Sequence, residues 1–157
     1  MKTPEGFAIR PMAAADLAQV MAIAEAVPEA PHWPRSAYLN AIDPEATPRR
    51  IALVAFGPQP DCVLGFVVAC ILPQQAELET MAVTTESQRQ GLGQLLFHAL
   101  AAELKTASAH ELFLEVRASN RQALAFYFAL GFVETGARPS YYTDPIEDAI
   151  LMCLSIR

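Results

Sequence analysis

MAVTTESQRQGLGQLLFHALAAEL, from Met81 to Leu104, is the stretch that decides the fold. It joins an apolar strand end, Met81-Ala82-Val83, to a polar loop, and that loop to a helix. Leu92, Leu95, Leu96, Ala99, Leu100 and Leu104 fall on one face of the helix, so the face must cover a sheet. Gly91 and Gly93 sit where the helix begins and leave its first amides uncovered. Free donors at the positive end of a helix dipole suit a phosphate group. The loop lacks the Lys-Ser/Thr of a P-loop and the third glycine of a dinucleotide fold. It reads as a diphosphate cradle of another kind, and the plainer alternative is that small residues let the helix pack closely on its sheet.

Gln88-x-x-Gly91-x-Gly93 directly after an apolar strand resembles the acetyl-CoA loop of the GNAT N-acetyltransferases. A second group of motifs is Leu114-Glu115-Val116-Arg117-Ala118-Ser119-Asn120, Ala125-Phe126-Tyr127, Leu130-Gly131-Phe132, Tyr141-Tyr142 and Glu147-Asp148-Ala149-Ile150. Together these are similar to the RimI-like branch, the ribosomal-protein-alanine N-acetyltransferases. The resemblance covers Gln75 to Leu154, and the residues before it match only in layout. It implies an α/β GNAT fold, a mixed twisted sheet of about six to seven strands with helices on both faces. It also implies acetyl-CoA as acetyl donor and no metal. The loop Gln88, Arg89, Gln90, Gly91, Leu92, Gly93 and Gln94 would hold the pyrophosphate. The backbone of Met81, Ala82 and Val83 would hold the pantetheine and acetyl group, and Asn120 would contact the pantetheine arm. By the same resemblance Glu115 is the general base and Tyr127 the general acid.

The 157 residues suit one domain, 1–157, with a proper core. Apolar residues make up 53% and charged ones 18%, which excludes a disordered chain. A net charge of −6 argues against nucleic acid, because phosphate backbones demand clustered Lys and Arg, and favours a cationic acceptor such as an amine. Met1 to Pro11 carries Lys2 but no apolar core of a signal, and no run approaches the roughly 18 apolar residues that span a bilayer. The expectation is a cytoplasmic protein with no membrane partner. Cys62, Cys70 and Cys153 are odd in number and lie in apolar segments, as free thiols of a reducing compartment do. His32, His98 and His110 are scattered without zinc-type spacing.

Taken in order, Phe7-Ala8-Ile9-Arg10 alternates as a first strand, and Leu17, Val20, Met21, Ile23 and Ala24 mark a helix within Ala14 to Val27. Pro28, Pro31 and Pro34 interrupt the chain before a short helix from His32-Trp33-Pro34-Arg35 to Asn40. Ile51 to Phe56 and Cys62 to Leu72 read as a hairpin about the turn Gly57-Pro58-Gln59-Pro60-Asp61. Gln75 to Val83 enters the cradle, and Leu112 to Val116 follows the cradle helix as the parallel return of a right-handed crossover. Ser119-Asn120 caps a helix that Gly131 ends in a left-handed turn. Phe132 to Gly136 and Asp148 to Ile156 are the expected last strands, separated by a polar, aromatic loop.

A carboxylate within Leu112-Phe113-Leu114-Glu115-Val116 is costly unless paired or hydrogen-bonded. Its plain reading is an exposed strand residue bridged to Arg117, two residues on and on the same face. As a base it would take the proton of an attacking amine. A protein α-amine of pKa about 7.7–8.0 is already neutral in roughly a tenth of molecules at pH 7, against about one in two thousand for lysine, so a single modest base fits the α-amine. Tyr127 lies two helical turns after Asn120, where it packs on the sheet or protonates the departing thiolate. Glu77 and Glu79 are rival bases, and since they share a strand face, solvation of both is the simpler reading. Cys62, Cys70 and Cys153 make no convincing nucleophile, which leaves direct attack in a ternary complex, with a strand amide near Met81 to Val83 on the oxyanion.

Acceptor recognition is expected from the loop Arg138 to Glu147 and from the segment around Trp33. Asp144, Glu147 and Asp148 would attract an α-ammonium, or else form a solvated acidic loop. Trp33 would wall the acceptor site, or else plug the core. Ser140-Tyr141-Tyr142-Thr143-Asp144-Pro145 departs from the Asn-Tyr-Tyr-Pro of the RimI-like pattern. Phe128 occupies a helix position that should be exposed, as a dimer contact or by local packing. The expected partner is a protein N-terminus, that of an alanine-starting ribosomal protein, met by a monomer or weak dimer. The alternatives are an acetyltransferase for a small amine (polyamine, amino acid or aminoglycoside) and a non-catalytic acyl-CoA-binding module.

Overall fold

Alternation along the strands decides which face of the sheet each helix covers. The computed structural model describes residues 6–59 and 61–157. Met1–Glu5, part of the stretch searched for a signal, and Pro60, part of the turn expected after β2, lie outside the described residues. The elements are β1 (Ala8–Pro11), α1 (Leu17–Ala26), α2 (Arg35–Ile42), β2 (Arg50–Phe56), β3 (Val63–Leu72), β4 (Gln75–Val83), α3 (Leu92–Thr106), β5 (Glu111–Arg117), α4 (Arg121–Leu130), β6 (Val133–Tyr142) and β7 (Glu147–Ser155). The strands form one seven-stranded sheet in the order β1-β2-β3-β4-β5-β7-β6. Every neighbouring pair is antiparallel except β4 and β5, the two strands joined through α3. The mixed sheet and the parallel crossover are as the sequence implies.

On one face α3 and α4 pack over the sheet. Leu92, Leu96, Leu100 and Leu104 are buried against Val67, Ala69, Leu112 and Leu114. Each fully buried leucine contributes about 1.5–3 kcal/mol of transfer free energy, which is why the leucine stripe holds α3 in place. On the other face α1 and α2 cover Val54, Phe66, Val68 and Ala82 with Leu17, Val20, Ile23 and Tyr38. Before α1 the chain makes a tight turn at Ala14–Asp16. There Asp16 accepts two hydrogen bonds from Arg10, at 2.7 and 2.8 Å, and one from the Ala13 amide at 2.8 Å. Among the described residues no helix is long and apolar enough to cross a membrane.

Two irregularities position the site. Val68 faces Thr80 and Ala69 faces Leu78, so Glu79 is an extra residue, a bulge in β4. The bulge reverses the alternation: Ala76 and Leu78 point to the α3 side, whereas beyond it Thr80 and Ala82 point to the α1 side. The β4–β5 ladder also ends early, pairing only Gln75, Ala76 and Glu77 with Glu111, Leu112 and Phe113. Past Glu77 the two strands part.

The C-terminal strands differ from expectation. β6 runs on to Tyr142 where a loop was expected after Gly136, and Ala137, Arg138 and Tyr142 pair with Ile150, Ala149 and Glu147. That stretch, with Gly136, Pro139 and Ser140, is polar and aromatic in the sequence and reads as a loop. They are tolerated because β6 is an edge strand, and its ladder is irregular between Glu134 and Gly136 and between Arg138 and Tyr142.

Candidate active site

The cradle is built by backbone conformation. Arg89 and Gly91 both take left-handed geometry, at φ +65° and +81°, turning the chain sharply into α3. The amides of Arg89, Gln90 and Gly91 find no acceptor among the described residues, and those of Leu92, Gly93 and Gln94 belong to the first helical turn, which has no intrahelical acceptors. Side chains tie the loop behind them: Gln88 donates to the Val83 carbonyl (3.3 Å) and Gln90 to that of Glu86 (3.1 Å). A Cβ on Gly93 would lie 3.3 Å from the Phe126 ring of α4 and 3.5 Å from Met81 Cε. Gly91 makes the turn, and Gly93 lets α3 pack closely on Phe126 of α4 and Met81 of the sheet.

Where β4 and β5 part, a cavity of about 610 Å³ opens beside the cradle. Met81, Ala82, Val83, Gln88, Arg89, Gly91, Gly93, Gln94 and Asn120 line it, whereas Gln90 and Leu92 do not. The Leu92 side chain is buried in the core, so only its amide can serve the site. Asn120 also caps α4, its side chain accepting from the Ala123 amide at 3.2 Å, and Gly131 ends that helix at φ +105°. Residues that the sequence reading missed join the wall: Ser87, Gln122, Ala123 and Phe126 on the α3/α4 side, and Val27, Glu29, Ala30 and Pro31 on the α1/α2 side.

The cavity passes through the sheet. Leu112, Leu114 and Val116 of β5 pack under α3, so Glu115 projects from the opposite face, toward the α1/α2 side. Tyr127 belongs to α4 and packs on the α3 side. Both nevertheless line the cavity, because the parted strands leave a window between the two faces. A donor bound at the cradle and an acceptor arriving from the other face would meet in that window, between a carboxylate and a phenol. Burial pushes the Tyr127 hydroxyl up to about 12, so it stays protonated across the neutral range. Its ring is fixed by edge contacts with Phe126 and Phe132, at centroid distances of 5.3 and 5.4 Å.

Charges around the window pair differently from the sequence expectation. Glu115 does not bridge to Arg117. Its Oε1 lies 3.4 Å from Nε of Arg138 on β6, while Arg117 pairs with Glu147 at 3.3 Å. The reason is the sheet order: β7 and then β6 lie next to β5, and cross-strand neighbours outcompete an i+2 residue. Glu79 is not solvated either. Arg50 of β2 grips it at 2.6 and 3.3 Å and also donates to Asn40 of α2 at 3.1 Å. The bulge brings Glu79 to that arginine, which pairs its charge. Glu77 remains exposed, and desolvation together with Glu79 and Glu115 raises its carboxyl above the usual range.

Other expectations about the acceptor side change as well. Trp33 stacks on Tyr38 at 5.3 Å and borders a small pocket with Met21, Ala24 and His32, apart from the main cavity. It is a core plug. Pro28 and Pro31 interrupt the chain after α1, and the segment between them, not Trp33, faces the window. Glu147 is occupied by the Ser119 amide (2.6 Å) and Arg117, and Asp148 by the Ser140 amide (2.9 Å). Asp148 braces the β6–β7 hairpin and Glu147 ties it to the end of β5, while Asp144 sits at the hairpin tip with φ +56°. Phe128 is about half exposed. Among the described residues no group of three or more His, Cys, Asp or Glu could hold a metal ion.

Free amides at a helix start, an unpaired strand edge and a window lined by a carboxylate and a phenol leave room for a diphosphate-bearing ligand. The profile of the acetyltransferase (GNAT) family matches residues 17–132. The [ribosomal protein bS18]-alanine N-acetyltransferase of Escherichia coli K12 is 45% identical over 93 residues, which is 58% of this chain. The matched segment spans 63% of that relative's length, short of two thirds. The crystal structure of the Escherichia coli ribosomal-protein-S18-alanine N-acetyltransferase superposes with a TM-score of 0.80 at 32% identity, covering 96% of this chain and 94% of the other. Ard1 from Thermoplasma volcanium superposes at 0.84 with 26% identity, covering 97% and 99%. With the family profile across most of the chain and a close structural match along nearly all of it, this protein belongs to the GNAT acetyltransferase family.

Proposed function

We propose that the protein transfers the acetyl group of acetyl-CoA to the N-terminal α-amine of another protein, an alanine-starting ribosomal protein, by direct attack in a ternary complex. The observation that carries this reading is the cavity that crosses the sheet, with the cradle at one end and Glu115 and Tyr127 on its walls. Residues 1–157 act in it as a single acetyltransferase domain. The amides of the loop Gln88 to Gln94 hold the pyrophosphate. The unpaired edge of Met81 to Val83 aligns the pantetheine and donates to the thioester oxygen, with Asn120 on the other side of the arm.

The amine enters from the α1/α2 face, beside Val27 to Pro31, and attacks the thioester carbon. A C–N bond forms and the C–S bond breaks. Glu115 takes the proton that the nitrogen loses, and Tyr127 gives its hydroxyl proton to the sulfur leaving as thiolate. The identity of the bS18-alanine relatives supports the choice of an α-amine over a small free amine.

The test is thiol release from acetyl-CoA with peptides beginning in Ala, Ser or Met, the same peptides with a blocked N-terminus, and free amines. Turnover that requires a free N-terminus, and that falls in Glu115→Gln, is the expected result. Saturable acetyl-CoA binding without release for any acceptor would overturn the catalytic reading. Turnover of small amines alone would overturn the choice of acceptor.

A further inference from the structure

Glu115 is gripped from outside the cavity by side chains that have no part in the reaction as described above. Nε of Arg138 lies 3.4 Å from Glu115 Oε1, with the arginine side chain 57% exposed and the glutamate 20%. The same guanidinium lies over the Tyr141 ring, 5.5 Å from its centroid. The nearness of Glu115 also raises the Tyr141 phenol above its ordinary pKa. Arg138, on the edge strand β6, thus links the Glu115 carboxylate of β5 to the Tyr141 ring.

We propose that Arg138 is a positioning residue for Glu115, holding the carboxylate in the one rotamer that reaches the acceptor amine; the inference rests on the reading of Glu115 as base. An exposed ion pair adds little to folding stability, so the contact matters through geometry. A glutamate on a strand has three side-chain torsions to populate, whereas a base must come within about 2.6–3.2 Å of the proton it takes. The other charges nearby do not do this work. Arg50 is occupied by Glu79 and Arg117 by Glu147, and Glu77 repels the carboxylate. Arg138 is the cation paired with Glu115 among the described residues. Its planar fork, stacked on Tyr141, fixes a direction that a single point charge would not.

The test compares wild type with Arg138→Gln and Arg138→Lys, each alone and combined with Glu115→Gln. The substrates are acetyl-CoA and a short peptide with a free N-terminal alanine. In the parent, Arg138→Gln should lower kcat about tenfold, as misplaced catalytic groups do, with KM for acetyl-CoA unchanged and partial recovery in Arg138→Lys. In the Glu115→Gln background, Arg138→Gln should have no further effect, because its influence passes through the missing carboxylate. Equal losses in both backgrounds would overturn the proposal, as would full activity of Arg138→Gln in the parent. If Glu115→Gln alone kept wild-type kcat, the reading of Glu115 as base would fail, an outcome seen separately from the behaviour of Arg138.

Discussion

Replacing Tyr127 with Phe removes one oxygen and keeps the ring that packs between Phe126 and Phe132. The kinetic cost follows from the burial of the hydroxyl, whose pKa is pushed up to about 12. Against a thiolate of pKa about 8.5 in water, full proton transfer from such a phenol is uphill by about 5 kcal/mol. Burial raises the thiolate's proton affinity too, so the two groups move closer inside the cavity. On the proposed mechanism Tyr127 therefore starts as a strong hydrogen-bond donor to the charge developing on sulfur and yields its proton only as the C–S bond finishes breaking. Losing a hydrogen bond to a charged group costs about 1.5–3 kcal/mol, which is roughly a 10- to 150-fold fall in kcat. The assay is steady-state thiol release with both substrates saturating, beside a melting curve that should hardly move. Below pH 10 the wild-type rate should show no basic limb due to Tyr127, since about 1% of the phenol is ionised there. A fall of less than twofold in Tyr127→Phe would refute the reasoning. So would a wild-type basic limb below pH 10 that disappears in the variant.

Two further substitutions probe the scaffold. Arg10 holds the buried Asp16 carboxyl below its usual range, so its stabilisation is present above the unfolded value near 3.9 and is lost as pH falls through the folded value. Asp16→Asn should therefore cost about 1–3 kcal/mol at pH 7 and progressively less as the pH falls below the unfolded value, read from urea midpoints across that range. Gly91→Ala places a side chain at φ +81°, a strain of about 1–2 kcal/mol at the mouth of the cradle. It should lower Tm and weaken acetyl-CoA binding in calorimetry, and no change in either would count against the cradle geometry.

Local rules made the cradle legible. Glycines at a helix start, an apolar stripe of leucines and an Asn cap act over a few residues, and their consequences are the same in any fold. The strand–helix–strand crossover followed from them, whereas helices on both faces of the sheet were implied by the family resemblance. The polar, aromatic stretch after Gly136 reads as a loop, and what Gly136 and Pro139 do there depends on strand position. In an interior strand they would end the ladder, but at the edge β6 carries on past them.

By itself the sequence determined the order of elements and the glycine turn into α3, and through the family resemblance it named the residues proposed to carry the chemistry. Only the tertiary structure decided how their charges are paired. Glu115 turned to Arg138 and Arg117 to Glu147 because β7 and β6 lie beside β5. Glu79 found Arg50 because a bulge in β4 aims it there, and Trp33 left the acceptor wall to Val27, Glu29, Ala30 and Pro31. The window joining Glu115 to Tyr127 exists because β4 and β5 part after Glu77. Ion pairing and cavities depend on which distant segments become neighbours, and spacing along one chain does not carry that information.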